Sequence, residues 1–147
     1  MLIYLAAPID RDKGEVMPEM VSLLKSFGFT GGMFVPSGAF NLSPSNLCEK
    51  DITALVEINR FALERCDAVV MQYRPGVESW GCPQELLFAW AALIPVILIV
   101  PDDTNISLLP LYLRAWVKTE NIVFNIQGAI ATLAYLDKVK LENRPNE

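Results

Sequence analysis

The chain has 147 residues, 52% of them hydrophobic, and a formal net charge of −5. That length suits one domain with one sizeable core, and that hydrophobic content argues against disorder. The acidic balance, with no basic cluster, argues against a nucleic-acid polymer as partner, and the absence of histidine excludes Ser-His and Cys-His chemistry and leaves few zinc ligands.

The cysteines, Cys48, Cys66 and Cys82, are odd in number and lack metal-like spacing. They read as free thiols filling core space in a reducing cytosol. The opening MLIYLAAPIDR lacks the basic start of a signal peptide. The longest apolar run, residues 91–101, contains Pro95 and is too short to span a bilayer. A cytoplasmic protein without membrane contact is the expectation.

In chain order, Met1 to Ala7 is a short apolar run ended by Pro8 and predicts a buried first strand. A polar loop, Ile9 to Gly14, leads to a helical stripe at Val16, Met20, Leu23, Leu24 and Phe27. Pro18 suits its first turn and Gly28 its stop. Met33 to Pro36 predicts a second strand, and Ser37 to Asn46 a long polar loop. Glu49 to Cys66 carries a helical stripe at Ile52, Leu55, Val56, Ile58, Ala62 and Leu63. Ala68 to Met71 predicts a third strand. A loop with Pro75, Gly76 and Gly81 then crosses its carboxyl end. The next helix, Cys82 to Leu93, has apolar positions at Leu86, Leu87, Phe88, Trp90 and Ala91, with Glu85 expected in its first turn. There a carboxylate complements the positive helix end. Val96 to Val100 is apolar without alternation, as in a central parallel strand covered on both faces. A turn at Pro101 to Asn105 precedes an apolar helix, Ser107 to Val117, interrupted by Pro110. Asn121 to Asn125 predicts a fifth strand and Gln127 to Leu141 a closing helix, with residues 142–147 as a frayed tail.

Strands alternate with helices without a linker or repeat, so one domain over residues 1–147 is expected, a parallel sheet with helices on both faces. Right-handed crossovers restrict the topology, and the order 2-1-3-4-5 is predicted, with a cleft over strands 1 and 3. Three strand ends meet there. The first brings Tyr4, Ala6 and Ala7, then Asp10 and Arg11. The second brings Ser37 and Phe40, and the third Ser79, Trp80, Gly81 and Glu85. The cleft thus offers a carboxylate, a cation, hydroxyls and aromatics for stacking. Each also has a plainer reading: Tyr4 as core, Arg11 as a loop charge, Trp80 as a cover of the sheet edge, Ser79 as a helix cap. Asn59 interrupts an apolar stripe, either as a buried amide in need of a partner or on an exposed face.

The stretches IYLAAPIDR, CDAVVMQYRPGVESWGCPQELLFAWA and IPVILIV resemble the nucleoside 2-deoxyribosyltransferase superfamily. That family shows a first strand of the type I-Y-x-A-x-P, a helix ending in (A/C)-D-x-V-V, a G-x-x-x-E turn and a small-residue helix before strand 4. The resemblance covers roughly residues 1–11 and 58–100. It implies a flavodoxin-like, Rossmann-like three-layer sandwich. It also implies that Glu85 attacks or stabilises the anomeric carbon of a nucleoside, that Gly81 places the turn, and that Tyr4 orients Glu85. Two positions depart from the transferase pattern. Ser79 stands where transferases acting on free nucleosides tend to carry an aspartate. This resembles the branch that hydrolyses nucleoside 5′-monophosphates, since a hydroxyl beside a helix N-terminus accommodates a phosphate that a carboxylate would repel. Glu78 beside it works against that. Asn59 stands where the family usually has an aspartate that protonates or orients the leaving base. An amide is no general acid, but it donates a hydrogen bond to a base carbonyl, which slightly favours a pyrimidine. Asp10 is a candidate replacement acid.

The resemblance therefore implies hydrolysis of the N-glycosidic bond of a nucleoside 5′-monophosphate. Catalysis would fall to Glu85, Tyr4 and Asn59, and substrate binding to Ser79, Gly81, Arg11, Asp10, Phe40 and Trp80. No metal or organic cofactor is implied. Family members are oligomers that complete each site with a neighbour's segment, and Leu108 to Trp116 is the candidate interface. The alternatives are base exchange between nucleosides and a nucleotide-binding module without catalysis.

Overall fold

A computed structural model describes residues 1–7, 17–36, 49–77 and 81–143, without the side chains of Met17, Asp51, Ile52 and Gly81. Pro8, Asp10, Arg11, Phe40, Cys48, Ser79, Trp80, the expected loop over residues 37–46 and residues 144–147 lie outside the described residues.

Five parallel strands form one sheet in the order 2-1-3-4-5. They are β1 (Leu2–Ala6), β2 (Gly32–Phe34), β3 (Ala68–Gln72), β4 (Val96–Ile99) and β5 (Ile122–Val123). The helices are α1 (Met17–Ser26), α2 (Glu49–Leu63), α3 (Gly81–Ala91), α4 (Leu111–Trp116) and α5 (Ile126–Glu142). The predicted three-layer α/β architecture is the one observed. Side chains alternate across each strand. Tyr4, Ala6, Val69, Met71 and Leu98 face a core layer with Leu63, Leu86, Ala89 and Leu113 of α2, α3 and α4. Ile3, Leu5, Val70, Ile97 and Ile99 face a second layer with Met20, Leu24, Ala129 and Leu133 of α1 and α5. The apolar runs of β3 and β4 lack alternation for that reason: both faces are covered.

Local signals set the boundaries. Gly28 adopts φ 96° and closes α1, with the Phe29 amide donating to Leu24 O and the Gly28 amide to Lys25 O, a left-handed cap that glycine adopts without strain. Pro110 splits the stretch after β4 into a 3-10 turn, Ile106–Leu108, and α4, because proline cannot continue a helix. Asp67 ties together the amino ends of two inner strands, β1 and β3. Its carboxylate accepts from the Leu2 amide at 2.7 Å and pairs with Lys140 of α5, while its own amide donates to Leu2 O at 2.7 Å.

α3 ends in the same way as α1, but with Leu93 in the glycine position. The Ile94 amide donates to Ala89 O and the Leu93 amide to Trp90 O, and Leu93 is held at φ 57° with its side chain 90% exposed. A left-handed leucine costs about 1–2 kcal/mol, and this side chain recovers little by packing. Leu93→Gly is expected to raise stability by about 1 kcal/mol after the larger unfolded-chain entropy of glycine is subtracted. A urea midpoint equal to or below wild type would contradict this.

The helices differ from expectation in which apolar residues they bury. On α2, Ile58 is exposed, as is its neighbour Phe61, whereas Asn59, Ala62 and Leu63 turn inward to different degrees. On α3, Leu86 and Ala89 are buried, but Leu87 and Trp90 are exposed. These helices carry apolar residues on more sides than one sheet can cover.

Candidate functional site

β1 and β3 are neighbours in register, Tyr4 opposite Val69 and Ala6 opposite Met71. α3 follows the loop beyond the end of β3 and packs against the layer that Tyr4 faces. Tyr4 lies fully buried on β1, its ring stacked on Phe34 of β2 with centroids 5.4 Å apart. The neighbouring-strand aromatic fixes the ring plane, and with it the direction of the hydroxyl. That hydroxyl donates to Glu85 Oε1 at 2.6 Å.

Glu85 lies on the inner face of α3, in line with Cys82 and Ala89, both buried. The helix begins at Gly81, so Glu85 falls in the second turn and not the first, as expected from sequence. The dipole effect fades within the first turn, and burial dominates instead. Loss of hydration pushes the Glu85 carboxyl up to about 7, against a lowering by the Tyr4 hydrogen bond. Glu85 as a whole residue is only partly buried; its carboxylate is the deep part. Burial first, then the charge and hydrogen bond of Glu85, push the Tyr4 hydroxyl far above the usual tyrosine range. Tyr4 is therefore a permanent donor to Glu85. Near neutrality the carboxylate is poised between its two protonation states, the property of groups that do acid, base or nucleophilic work.

Asn59 lies on α2, which packs against α3. Its Oδ1 is buried with no hydrogen-bond partner among the described residues, and none joins it to the Tyr4–Glu85 pair. A buried amide oxygen without a donor is costly unless a ligand supplies one. Gly81 is placed as the first residue of α3. The positions of Ser79, Trp80, Arg11, Asp10 and Phe40 lie outside the described residues. Sequence reasoning missed Phe34 as the support of Tyr4. The signal was the register of β1 with β2, which sequence does not carry.

Cys66 and Cys82 are buried. Burial pushes the Cys66 thiol up to about 11, which makes it a poor nucleophile. No group of His, Cys, Asp or Glu that could hold a metal occurs among the described residues. No helix among them is long and apolar enough to cross a membrane.

No protein-family model and no curated protein matches the chain. Solved structures do. A 2-deoxyribosyltransferase from the psychrotolerant bacterium Bacillus psychrosaccharolyticus aligns over 99% of this chain and 93% of its own, with a TM-score of 0.65 and 15% identity. A conserved protein from Enterococcus faecalis V583 aligns over 97% and 98%, with a TM-score of 0.59 and 14% identity. A CMP N-glycosidase of Clostridium botulinum aligns over 95% and 99%, at a TM-score of 0.49 and 19% identity. The chain thus has, from end to end, the three-layer α/β fold of a solved 2-deoxyribosyltransferase.

Proposed function

We propose that the chain is an enzyme that cleaves the N-glycosidic bond of a nucleoside 5′-monophosphate, releasing a free base and the sugar 5-phosphate. The observation that carries this reading is the Tyr4–Glu85 pair: a buried carboxylate near pH 7, aimed by a tyrosine hydroxyl at 2.6 Å. The bond from C1′ to the base nitrogen breaks through an oxocarbenium-like state. A carboxylate oxygen beside C1′ stabilises that charge or bonds to it, and water then attacks C1′ and frees the sugar. Tyr4 holds one carboxylate oxygen and leaves the other for C1′.

Asn59 contacts the base in this reading. A terminal amide presents an acceptor and a donor side by side, complementary to a pyrimidine edge that carries both. Ser79 and Arg11 are proposed to hold the phosphate, with Gly81 placing the turn. Phe40 or Trp80 stacks the base, and Asp10 is the reserve acid. Support also comes from the sequence motifs around Tyr4 and Glu85 and from the shared fold.

That shared fold equally supports base exchange, because the solved protein aligned at 0.65 is itself a 2-deoxyribosyltransferase. The two readings differ only in what accepts the glycosyl group. The test is free-base release from ribo- and deoxyribonucleoside 5′-monophosphates and their unphosphorylated parents, with and without a second base. Release from one monophosphate, insensitive to added base, supports the hydrolase. Release only from nucleosides, diverted into a new nucleoside by added base, supports the transferase. No release from any substrate defeats both.

The exposed apolar residues are proposed to form a contact between copies of the chain. Leu108 and Leu111 are 79% and 78% exposed, and Trp90 packs on Trp116 with centroids 6.2 Å apart. Large exposed apolar side chains grouped together mark an interaction site. Wild type is expected to sediment as a dimer or larger at micromolar concentration, and Leu111→Asp to shift it to monomer with unchanged circular dichroism. A wild-type monomer at that concentration would overturn the proposal.

A further inference from the structure

Phe34 reaches the Tyr4–Glu85 pair through strand register. β2 runs beside β1 at the edge of the sheet, and Gly32, Met33 and Phe34 lie opposite Leu2, Ile3 and Tyr4. Two glycines at the start of this pairing permit the close approach. A Cβ on Gly31 would stand 2.5 Å from Met1 O, and one on Gly32 would stand 2.9 Å from the Leu2 side chain. The Gly32 amide donates to Met1 O at 3.1 Å. A slip of one residue would turn Phe34 to the other face of the sheet. In the observed register it shares a face with Tyr4. Neighbouring strands lie about 4.8 Å apart, and the two rings stack with centroids 5.4 Å apart and 21° between their planes.

The stack controls the hydroxyl hydrogen. A tyrosine oxygen lies on the ring axis and stays in place when the ring turns about it. The O–H bond, however, prefers the ring plane, because the oxygen lone pair conjugates with the ring. The plane imposed by Phe34 therefore selects the direction in which Tyr4 donates. Its bond to Glu85 Oε1 is 2.6 Å long, the length of a hydroxyl donating to a charged carboxylate, and such a bond weakens steeply when misaligned. Other ionisable groups stand on the surrounding elements. Arg60 of α2 lies 5.4 Å over the Phe88 ring and pairs with Glu64. Tyr73 beyond β3, Tyr112 of α4 and the thiols of Cys66 and Cys82 belong to the same core layer, and the other charged side chains described on α2 and α4 are exposed. The Glu85 carboxyl is shifted by burial and by Tyr4 alone.

We propose that Phe34 is a positioning residue of the reaction: by stacking on the Tyr4 ring it holds the tyrosine O–H on Glu85 Oε1 and keeps the other carboxylate oxygen free for C1′. The hold on Glu85 follows from the geometry, and the consequence at C1′ rests on the N-glycosidase reading.

The test is the titration of Glu85 in the full chain, followed by NMR with glutamate labelled at the side-chain carboxyl and the signal assigned by its loss in Glu85→Gln. Phe34→Leu keeps an apolar cover but no ring plane. It is expected to move the Glu85 midpoint upward by at least about half a pH unit, because the bond to the ionised form is weakened. Phe34→Tyr keeps the ring and is expected to hold the midpoint within about 0.2 of wild type. In the Tyr4→Phe background, which lacks the hydroxyl, Phe34→Leu is expected to move it no further. Phe34→Met replaces Phe34→Leu should the latter not fold. The proposal is overturned if the midpoint does not rise, if Phe34→Tyr raises it as far, or if the rise persists in Tyr4→Phe, which would make Phe34 a cover against water only. Base release is measured on the same variants. Phe34→Leu is expected to lower kcat/KM at least about threefold at about pH 6, the half-unit move read as a rate, with recovery above about pH 8. An unchanged rate beside a raised midpoint would overturn the role in the reaction. No base release even from wild type would defeat the N-glycosidase reading and with it the role at C1′, while the titration still decides whether Phe34 acts on Glu85 through Tyr4.

Discussion

Glu85→Gln is expected to abolish base release while making the folded protein more stable. The amide keeps the shape and still accepts the Tyr4 hydroxyl, but it carries no charge to stabilise an oxocarbenium centre and is a poor nucleophile. Loss of a group that acts directly on the reacting carbon lowers kcat/KM by at least about 10³-fold. The stability change has the opposite sign. Burial raises the Glu85 pKa to about 7 in the folded protein from an ordinary value of 4.5. The folded state therefore holds its proton more tightly than the unfolded chain, and ionisation opposes folding. That cost is absent below pH 4.5, grows as pH rises towards 7 and is constant above it. Glu85→Gln removes it, for a gain of up to about 3 kcal/mol above pH 7 and little at pH 4. Urea unfolding of both proteins at pH 4.5 and 8 reads the difference. An equal gap at both pH values, or a variant that keeps its activity, would contradict the assignment.

The same pair sets a pH–rate profile. If the ionised carboxylate acts on C1′, kcat/KM rises with pH and levels off above about 7, the value that burial gives Glu85. Tyr4 lowers that value through its hydrogen bond. Tyr4→Phe is therefore expected to move the rising limb to higher pH and to lower the rate at pH 7, with partial recovery at pH 9. A purely structural role for Tyr4 would lower activity without moving the limb.

Ile97→Ala is expected to cost about 2–5 kcal/mol, a large share of the roughly 5–15 kcal/mol that holds a domain folded. Ile97 is fully buried, sits opposite Val70 in the register of β3 with β4 and belongs to the layer under α1 and α5. Removing its branches leaves a cavity between two packed layers that cannot collapse. The urea midpoint falls with the slope unchanged. Tyr135→Ala, at a position 65% exposed, changes stability by less than about 0.5 kcal/mol. A loss in Ile97→Ala as small as that of Tyr135→Ala would mean that β4 is not central to the core.

Much of this architecture is legible in the residues. Val96 to Ile99 announces a strand covered on both faces, Gly28 a helix stop and Pro110 a break, because each acts through its own backbone or its own hydration. The inner faces of α2 and α3 are less legible. Ile58 and Asn59 are adjacent, and hydropathy favours burying Ile58; the structure exposes it and buries the Asn59 oxygen. Periodicity states what each residue prefers, whereas the direction from which the sheet approaches decides which residue is covered. The turn of α3 that holds Glu85 also escaped the sequence, since a helix that begins at Gly81 and one that begins a residue later differ by no strong local signal.

The sequence by itself determined the alternation of strands and helices, a restricted set of topologies that includes the observed strand order, and the presence of a tyrosine and a glutamate beside the same strand ends. Only the tertiary structure decided that these two touch, across 81 residues of chain, and that Phe34 fixes the tyrosine ring. Contacts so distant in sequence form through register and packing, and the perturbed carboxyl follows from the low-dielectric surroundings that packing creates.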